Sequence, residues 1–444
     1  MHTPIYDFVK KYGERGAVRL HMPGHKGNPL LGCEPMDITE IKGADDLYHA
    51  AGIIRQSEEN ASGLFGSKKT FYATGGSSQC IGAMVYLAML HGQKGRPILA
   101  ARNAHKAFLH TCALLDLEVV WLYPQKESPL CSCTIFPEQL EGILNAMEVL
   151  PFALYITSPD YLGGMADIQG LSAVCRSFGI PLLVDNAHGA YLRFLPESMH
   201  PLDLGADLCC DSAHKTLPVL TGGAYLHIAK ETSCSFEGAG KQALAFFGST
   251  SPSYLVLQSL DLCNRVLAEG YKNRIEACIG QIKYLSLQLE EKGYVVRNFE
   301  PLKLVLDGAA IGLEGVILAE FLREENIEPE FADEDTLVLM FTPENTEEDF
   351  QKILQAFPPV IGGNGRRKKS ILPARGARRL SIREAMFAKR EPLPVEQALG
   401  RICAVPAVSC PPAIPIAVSG EEITQEMIGL FLLYGIEEIE VVKA

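Results

Sequence analysis

The sequence predicts an α/β fold built on a mainly parallel sheet, and three observations predict it. Short apolar runs recur through the first two-thirds of the chain: "RPILAA", "LEVVWLY", "FALYITSP", "IPLLVD", "ADLCCDS" and "GGAYLHI". Helical patterns separate them, as expected of crossover units that put helices on both faces of a sheet. Polar clusters follow several of the runs, at the carboxyl ends of the strands where open sheets of this kind collect ligands.

From Pro252 the pattern becomes a long helical stretch, "YLVLQSLDLCNRVLAEG" and then "IEACIGQIKYLSLQLEEKG", which reads as a connection leaving the large domain. A smaller α/β region follows, with "TLVLMF" as a strand and "TEEDFQKILQAF" as a helix opened by Thr346 and two acidic residues. The basic segment "IGGNGRRKKS" reads as a solvated linker, and the Pro-rich remainder containing "CPPAIPIAVSGEEIT" as a C-terminal module. The expected division is 1–285, 286–360 and 361–444.

Composition narrows the class. With 444 residues, 47% hydrophobic and 21% charged, the chain can bury a sizeable core in two or three domains. A formal net charge of −13 argues against nucleic acid or anionic lipid as partners and favours the approach of cationic small molecules. The start, "MHTPIYDFVKKYGERG", places charges where a signal peptide needs its apolar segment, and no run reaches the roughly 18 apolar residues of a membrane span. A cytoplasmic location is expected. The 13 cysteines form no CxxC and no ligand-spaced cluster, so they read as reduced, buried small hydrophobes, with no metal site expected.

The chemistry-bearing residues sit at the ends of the apolar runs. In "IPLLVDNAHGAY" the run ends in Asp185, and a carboxylate there is costly to desolvate unless it meets a cation or several donors. A helix cap is the plain alternative for an isolated Asp. The next run, "ADLCCDS", leads into "AHKT" with Lys215. On neighbouring strand ends, Asp185 and Lys215 would face one pocket. An Asp for a pyridinium nitrogen and a Lys for an aldehyde are the two protein groups that a pyridoxal phosphate enzyme needs. A phosphate cradle is offered by "FYATGGSSQCIGAMVYLAML", where Gly75 and Gly76 admit close backbone approach and Ser77 opens a helix. In "ARNAHKAFLH", His105 follows a strand and is placed to stack on a planar cofactor, unless it is simply a structural residue at a helix start.

Over nearly its whole length the chain resembles the Orn/Lys/Arg decarboxylase family. The resemblance is carried by "HMPGHKG", "DITEIKGADDLYHAAGII", "TSPDYLGGMADI", "VDNAHGA", "DSAHKTL", "STSPSYLVLQSLD", "LVLMFTPEN" and "ALGRICAVPAVSCPPAIPIAVSGEEI". It implies a pyridoxal phosphate fold type I large domain, aspartate aminotransferase-like with a mainly parallel seven-stranded sheet, plus the small α/β region and the C-terminal module. It implies the short form, without the N-terminal wing domain of long members, because "HMPGHKG" begins at His21.

By position the resemblance implies Lys215 as the Schiff-base lysine, Ser212 and His214 near the phosphate, and Gly76 and Ser77 in the phosphate turn. It implies Asp185 on the ring nitrogen, His105 on the ring face and His188 near the ring hydroxyl. Thr250 and Ser251 would reach the phosphate of a partner subunit, making a homodimer the smallest functional unit. The implied reaction is α-decarboxylation of a basic amino acid: arginine first, then lysine, then ornithine, because short members often feed polyamine synthesis. Glu421, Asp45 and Asp46 are the candidate acids for the substrate's cation. Thr74, Tyr48, the "CPPA" at Cys410 to Ala413, and Ser419 depart from the family's usual residues. Another fold type I reaction, such as transamination or β-elimination, and a non-catalytic pyridoxal phosphate protein remain rival readings.

Overall fold

Seven strands form the large sheet: β1 (Lys69–Ala73), β2 (Ile98–Ala101), β3 (Val119–Leu122), β4 (Ala153–Thr157), β5 (Leu182–Asp185), β6 (Leu208–Asp211) and β7 (Ala224–Ile228). Their spatial order in this computed structural model is β1-β7-β6-β5-β4-β2-β3. The structure describes residues 1–125, 128–232, 235–360, 365, 374–406 and 414–443. The basic segment 361–370, apart from Gly365, and the sequence departures from Cys410 to Ala413 lie outside these residues.

From β6 through β5, β4 and β2 to β3 every pairing is parallel, while β7 runs antiparallel to both β6 and β1. Every residue of β2, β5, β6 and β7 is buried, so the sheet is covered on both faces and its strands read as unbroken apolar runs. The helix Gly76–His91 packs against β6 and β7 and is itself apolar nearly all round. That burial explains its weak amphipathic pattern.

The long helical stretch is two helices, Tyr254–Ala268 and Tyr271–Glu291, broken where Gly270 takes a φ of +82°. The second leads to an antiparallel sheet of β8 (Val296–Arg297), β9 (Lys303–Asp307), β10 (Phe331–Ala332) and β11 (Thr336–Met340), in the order β10-β11-β9-β8. The helix Glu347–Ala356 opens on a capping box between Thr346 and Asp349. A third sheet pairs β12 (Arg390–Pro394) with β13 (Glu438–Val442). The three sheets therefore fall one to each of the expected segments.

Two buried charges tie distant parts together. Arg102, just past β2, donates to the carbonyls of Pro415 (2.8 Å) and Ile416 (3.0 Å), with its guanidinium 3.5 Å from Glu421. It anchors the C-terminal segment to the large sheet at the carboxyl end of β2. Asp261, on the helix Tyr254–Ala268, accepts from the N–H groups of Ile5 (2.9 Å) and Tyr6 (3.0 Å) and from Ser57 Oγ (2.5 Å). These bonds pin the N-terminal helix Pro4–Glu14.

Burial outweighs the three donors and raises the Asp261 carboxyl to about 6. The folded state therefore binds this proton more tightly than the unfolded chain does. The stability from this group is fully present below the ordinary value of 3.8 and is lost as pH rises through about 6. Asp261→Ala strands two buried N–H groups and is expected to cost about 2–4 kcal/mol in urea unfolding. The variant should also lack this component of the pH slope, which unfolding curves across that window will check.

Candidate active site

The parallel pairing of β5 with β6 sets Asp185 opposite Cys210, so the two strands end side by side. Past β6 the chain turns into the short helix Ala213–Thr216, which carries Lys215. The expectation that Asp185 and Lys215 stand on neighbouring strand ends is thus met by the register itself.

Asp185 is 2% exposed, and its Oδ2 accepts from the hydroxyl of Tyr155 at 2.9 Å, while Oδ1 accepts from the Ala187 N–H at 3.2 Å. A donor on the neighbouring strand β4 thus fixes the carboxylate's orientation. The Lys215 Nζ lies 2.9 Å from His188 Nε2. Burial lowers the proton affinity of Lys215, while Asp185 and Glu330 pull it the other way. For His188, burial is again the largest effect, reinforced by the charges of Lys303 and Lys215, and it holds the imidazole neutral well below the usual range. Its Nδ1 is buried without a hydrogen-bond partner.

Around this pair stand the other predicted residues. His105 caps the helix Lys106–Leu115, its Nδ1 accepting from the Ala107 N–H at 3.1 Å. The structural reading of His105 is therefore correct as far as it goes. Its proton affinity is lowered by burial, with Asp185 opposing and Lys215 reinforcing that shift. Gly76 has a φ of +72°, and the space where a side chain would begin is open. Ser77 follows it at the start of the helix, and Ser212 Oγ donates to Ser77 Oγ at 2.7 Å. His214 is held by the carbonyl of Gly223, 3.0 Å from its Nδ1.

Five predicted residues are not gathered with these. Thr250 and Ser251 are exposed, and the Ser251 N–H donates to Ser249 Oγ at 3.1 Å. The three expected substrate acids are engaged elsewhere. Asp45 accepts from the N–H groups of Ala51 (3.0 Å), Gly52 (2.8 Å) and Ile54 (3.0 Å), and Asp46 from those of Tyr48 (2.8 Å) and His49 (3.1 Å). Both shape the loop that opens the helix Ile53–Phe65. Glu421, 5% exposed, faces Arg102 and accepts from the Val418 N–H at 2.9 Å. Loop turning and ion pairing account for these carboxylates.

Other groups near the site were missed. Lys303, at the start of β9, is 1% exposed, with Nζ 3.2 Å from the Asp160 carbonyl and 3.6 Å from Glu300. A cation inside the apolar run "PLKLVLD" is a legible signal of a paired buried charge. Tyr155 and Glu330 carry no such signal, since their roles arise only from tertiary placement. Among the described residues, His200, Cys209 and Asp211 are spaced for a metal ion. There, His200 Nε2 (3.0 Å) and His227 Nε2 (3.1 Å) both lie within hydrogen-bond distance of one Asp211 oxygen. Burial opposes the Asp211 charge, but the two imidazoles outweigh it and hold the carboxyl well below its usual range.

Residues 3–307 match the Orn/Lys/Arg decarboxylase major domain, and residues 373–438 match the C-terminal domain of the same family. The chain belongs to the Orn/Lys/Arg decarboxylase family. An arginine decarboxylase of Bacillus subtilis is 30% identical over 461 residues, covering 96% of this chain and 92% of its own. The lysine decarboxylase of Francisella novicida superposes with a TM-score of 0.82 at 18% identity, covering 99% of this chain and 81% of that one. The constitutive lysine decarboxylase of Escherichia coli gives 0.80 at 16% identity, covering 100% and 82%. At those identities the two structures speak for the fold, pyridoxal phosphate fold type I.

The residues present fit the family's cofactor, pyridoxal phosphate. A buried, oriented carboxylate suits a ring nitrogen, a buried amine of lowered proton affinity suits an aldehyde, and the orphaned His188 Nδ1 suits a polar ring substituent. The open turn at Gly76, entering a helix N-terminus with two hydroxyls beside it, suits a phosphate. Lys215→Ala is expected to abolish the visible absorbance of the lysine-linked cofactor while circular dichroism stays native. Tyr155→Phe should weaken cofactor binding about tenfold, the loss of one hydrogen bond to a charged group, in an equilibrium titration with pyridoxal phosphate.

Proposed function

We propose that the chain removes the α-carboxylate of a basic amino acid as carbon dioxide, with arginine preferred, then lysine, then ornithine. The observation that carries the reading is the Asp185–Lys215 pair at adjoining strand ends, within a chain that matches this family over both of its domains. Arginine comes first because the arginine decarboxylase of Bacillus subtilis aligns with nearly the whole chain.

In this reading pyridoxal phosphate, when bound, supplies the electron sink for the bond that breaks. The protein supplies position and charge. Asp185, oriented by the donors on both of its oxygens, would hold a proton on the ring nitrogen. Lys215, of lowered proton affinity, would attach the cofactor and then move a proton to or from the reacting carbon. Neutral His188 would position the Lys215 amine, and His105 would cover one ring face. Ser77, Ser212, His214 and the N–H groups past Gly76 would hold the phosphate.

Thr250 and Ser251, exposed on the protomer, would complete the site of a second copy, which makes the working unit a homodimer or a larger homo-oligomer. Division at 285/286 and 360/361 into cofactor, small and C-terminal parts accords with one sheet in each segment. No helix among the described residues is long and apolar enough to cross a membrane. In this reading the chain would supply polyamine precursors in the cytoplasm.

The test is an assay of the purified, cofactor-loaded protein with arginine, lysine and ornithine. Carbon dioxide and the matching amine should form in equal amounts, fastest from arginine. Keto acid without carbon dioxide would point to transamination, and unchanged cofactor absorbance with no product would leave only binding. Either result would overturn the proposal.

A further inference from the structure

The turn proposed to hold the phosphate and the loop that carries Thr250 and Ser251 are far apart in sequence, yet three side-chain bonds join them. Gln79, 3% exposed on the first turn of the helix Gly76–His91, accepts from the Gly75 N–H through Oε1 at 3.0 Å. Its Nε2 donates to the Leu244 carbonyl at 2.9 Å and to the Tyr48 hydroxyl at 3.1 Å. Tyr48 in turn donates to the Ser249 carbonyl at 3.0 Å. The Ser249 hydroxyl then accepts from the Ser251 N–H at 3.1 Å. A continuous line of hydrogen bonds therefore runs from Gly75 through Gln79, Tyr48 and Ser249 to Ser251.

The partners leave one sense for each bond. The Gly75 N–H can only donate and the Leu244 carbonyl can only accept, which sets the Gln79 amide with its oxygen towards the turn and its nitrogen towards Tyr48. Tyr48 accepts from Gln79 and gives its own hydrogen to Ser249. Burial raises the Tyr48 phenol above its usual value, so that hydrogen is retained. Packing closes the same gap. A side chain on Gly248 would collide with the Tyr48 hydroxyl and the Gln79 amide, and one on Gly82 would meet the Phe247 ring at 2.7 Å. The loop that follows the helix Gly240–Phe247 thus rests directly on the bridge.

We propose that Tyr48, working through Gln79, is a positioning residue that couples this chain's own phosphate turn to the loop 248–251, making the two cofactor sites of a homodimer bind cooperatively. The inference rests on the reading of Gly76, Ser77, Thr250 and Ser251 given above, in which the turn holds one phosphate and the loop completes the site of a second copy. An anion drawing on the N–H groups of the turn favours one setting of Gln79, and the line of bonds carries that setting to Ser249 and the loop. Filling one site orders the loop offered to the other, so the second cofactor binds more tightly.

The decisive experiment titrates the full chain, freed of cofactor, with pyridoxal phosphate and with pyridoxal, following absorbance, and measures the mass in solution by light scattering. Wild type should be dimeric or larger and bind pyridoxal phosphate with a Hill coefficient of about 1.3 to 1.5, as two sites coupled about fivefold require. Tyr48→Phe keeps the ring and removes the hydroxyl. Its Hill coefficient should fall to about 1 and its affinity for pyridoxal phosphate about three- to tenfold, while pyridoxal, which lacks the phosphate, changes less than about twofold. The mass and Tm should stay those of wild type. A packing role alone would weaken both ligands alike and leave the Hill coefficient unchanged.

A wild-type dimer that binds pyridoxal phosphate without cooperativity overturns the inference. So does a Tyr48→Phe variant with the wild-type Hill coefficient, or one that weakens both ligands equally. Should Tyr48→Phe fail to fold, Gly248→Ala, which crowds the hydroxyl from the loop side, decides by the same two measures. Monomeric wild type overturns the inference together with the homodimer reading. A cooperative dimer that releases no carbon dioxide from basic amino acids would sink the decarboxylase reading alone, since the binding curves still judge Tyr48.

Discussion

A carboxylate buried at the end of a central strand is the constraint around which the rest of the site is arranged. A carboxylate is costly to desolvate there without donors, and Tyr155 and the Ala187 N–H supply them to Asp185. The strand pairing that buries it also delivers Lys215, because β6 ends beside β5 and turns at once into a short helix. The turn is braced below. Asn186, next to Asp185, donates to Asp211 Oδ1 at 2.7 Å, and His200 and His227 close on the other oxygen. Asp211 thus braces the chain segments that carry Asp185 and Lys215.

Charge is sorted around this brace. His188 sits among Lys303, Lys215, His105 and His214, and burial with those neighbours keeps it neutral. A neutral imidazole beside Lys215 can share a proton with the amine, whereas a cation there would repel it. The Lys303 charge is met by Glu300, which also accepts from the hydroxyl of Tyr191 and from the Leu302 N–H at 2.9 Å. Each buried charge therefore has a counter-charge or a set of donors, which limits the desolvation cost that such groups otherwise carry.

Much of this was legible in the sequence, for a physical reason. Strands buried on both faces need continuous apolar runs, and six of the seven large-sheet strands show them. The exception is β1, "KTFYA", where a lysine opens the strand and Thr70 interrupts its apolar character. Inside the sheet Thr70 Oγ1 lies 2.8 Å from His227 Nδ1, a partner remote in sequence. Asp185 could be singled out because it closes an apolar run, and Lys215 because it comes shortly after the next one. Asp45 and Asp46 are harder to read for a related reason: acidic residues shortly before a helix satisfy loop and helix-start N–H groups as readily as they bind a ligand. Glu330 had no local mark at all in the acid-rich "EPEFADED". Only the hydroxyl of Tyr161 and the pull on Lys215 distinguish it from the acids around it.

The anchoring of the C-terminal segment adds a last physical link. Arg102 is buried three positions before His105 and holds the carbonyls of Pro415 and Ile416, with its guanidinium against Trp121 and Glu421. Removing Glu421 would leave this guanidinium without its counter-charge, a far greater cost than losing an exposed pair. The strand end that presents His105 to the site is therefore also the one that fixes residues 414–423. A change in that segment would be felt first at Arg102 and at the backbone that leads to His105.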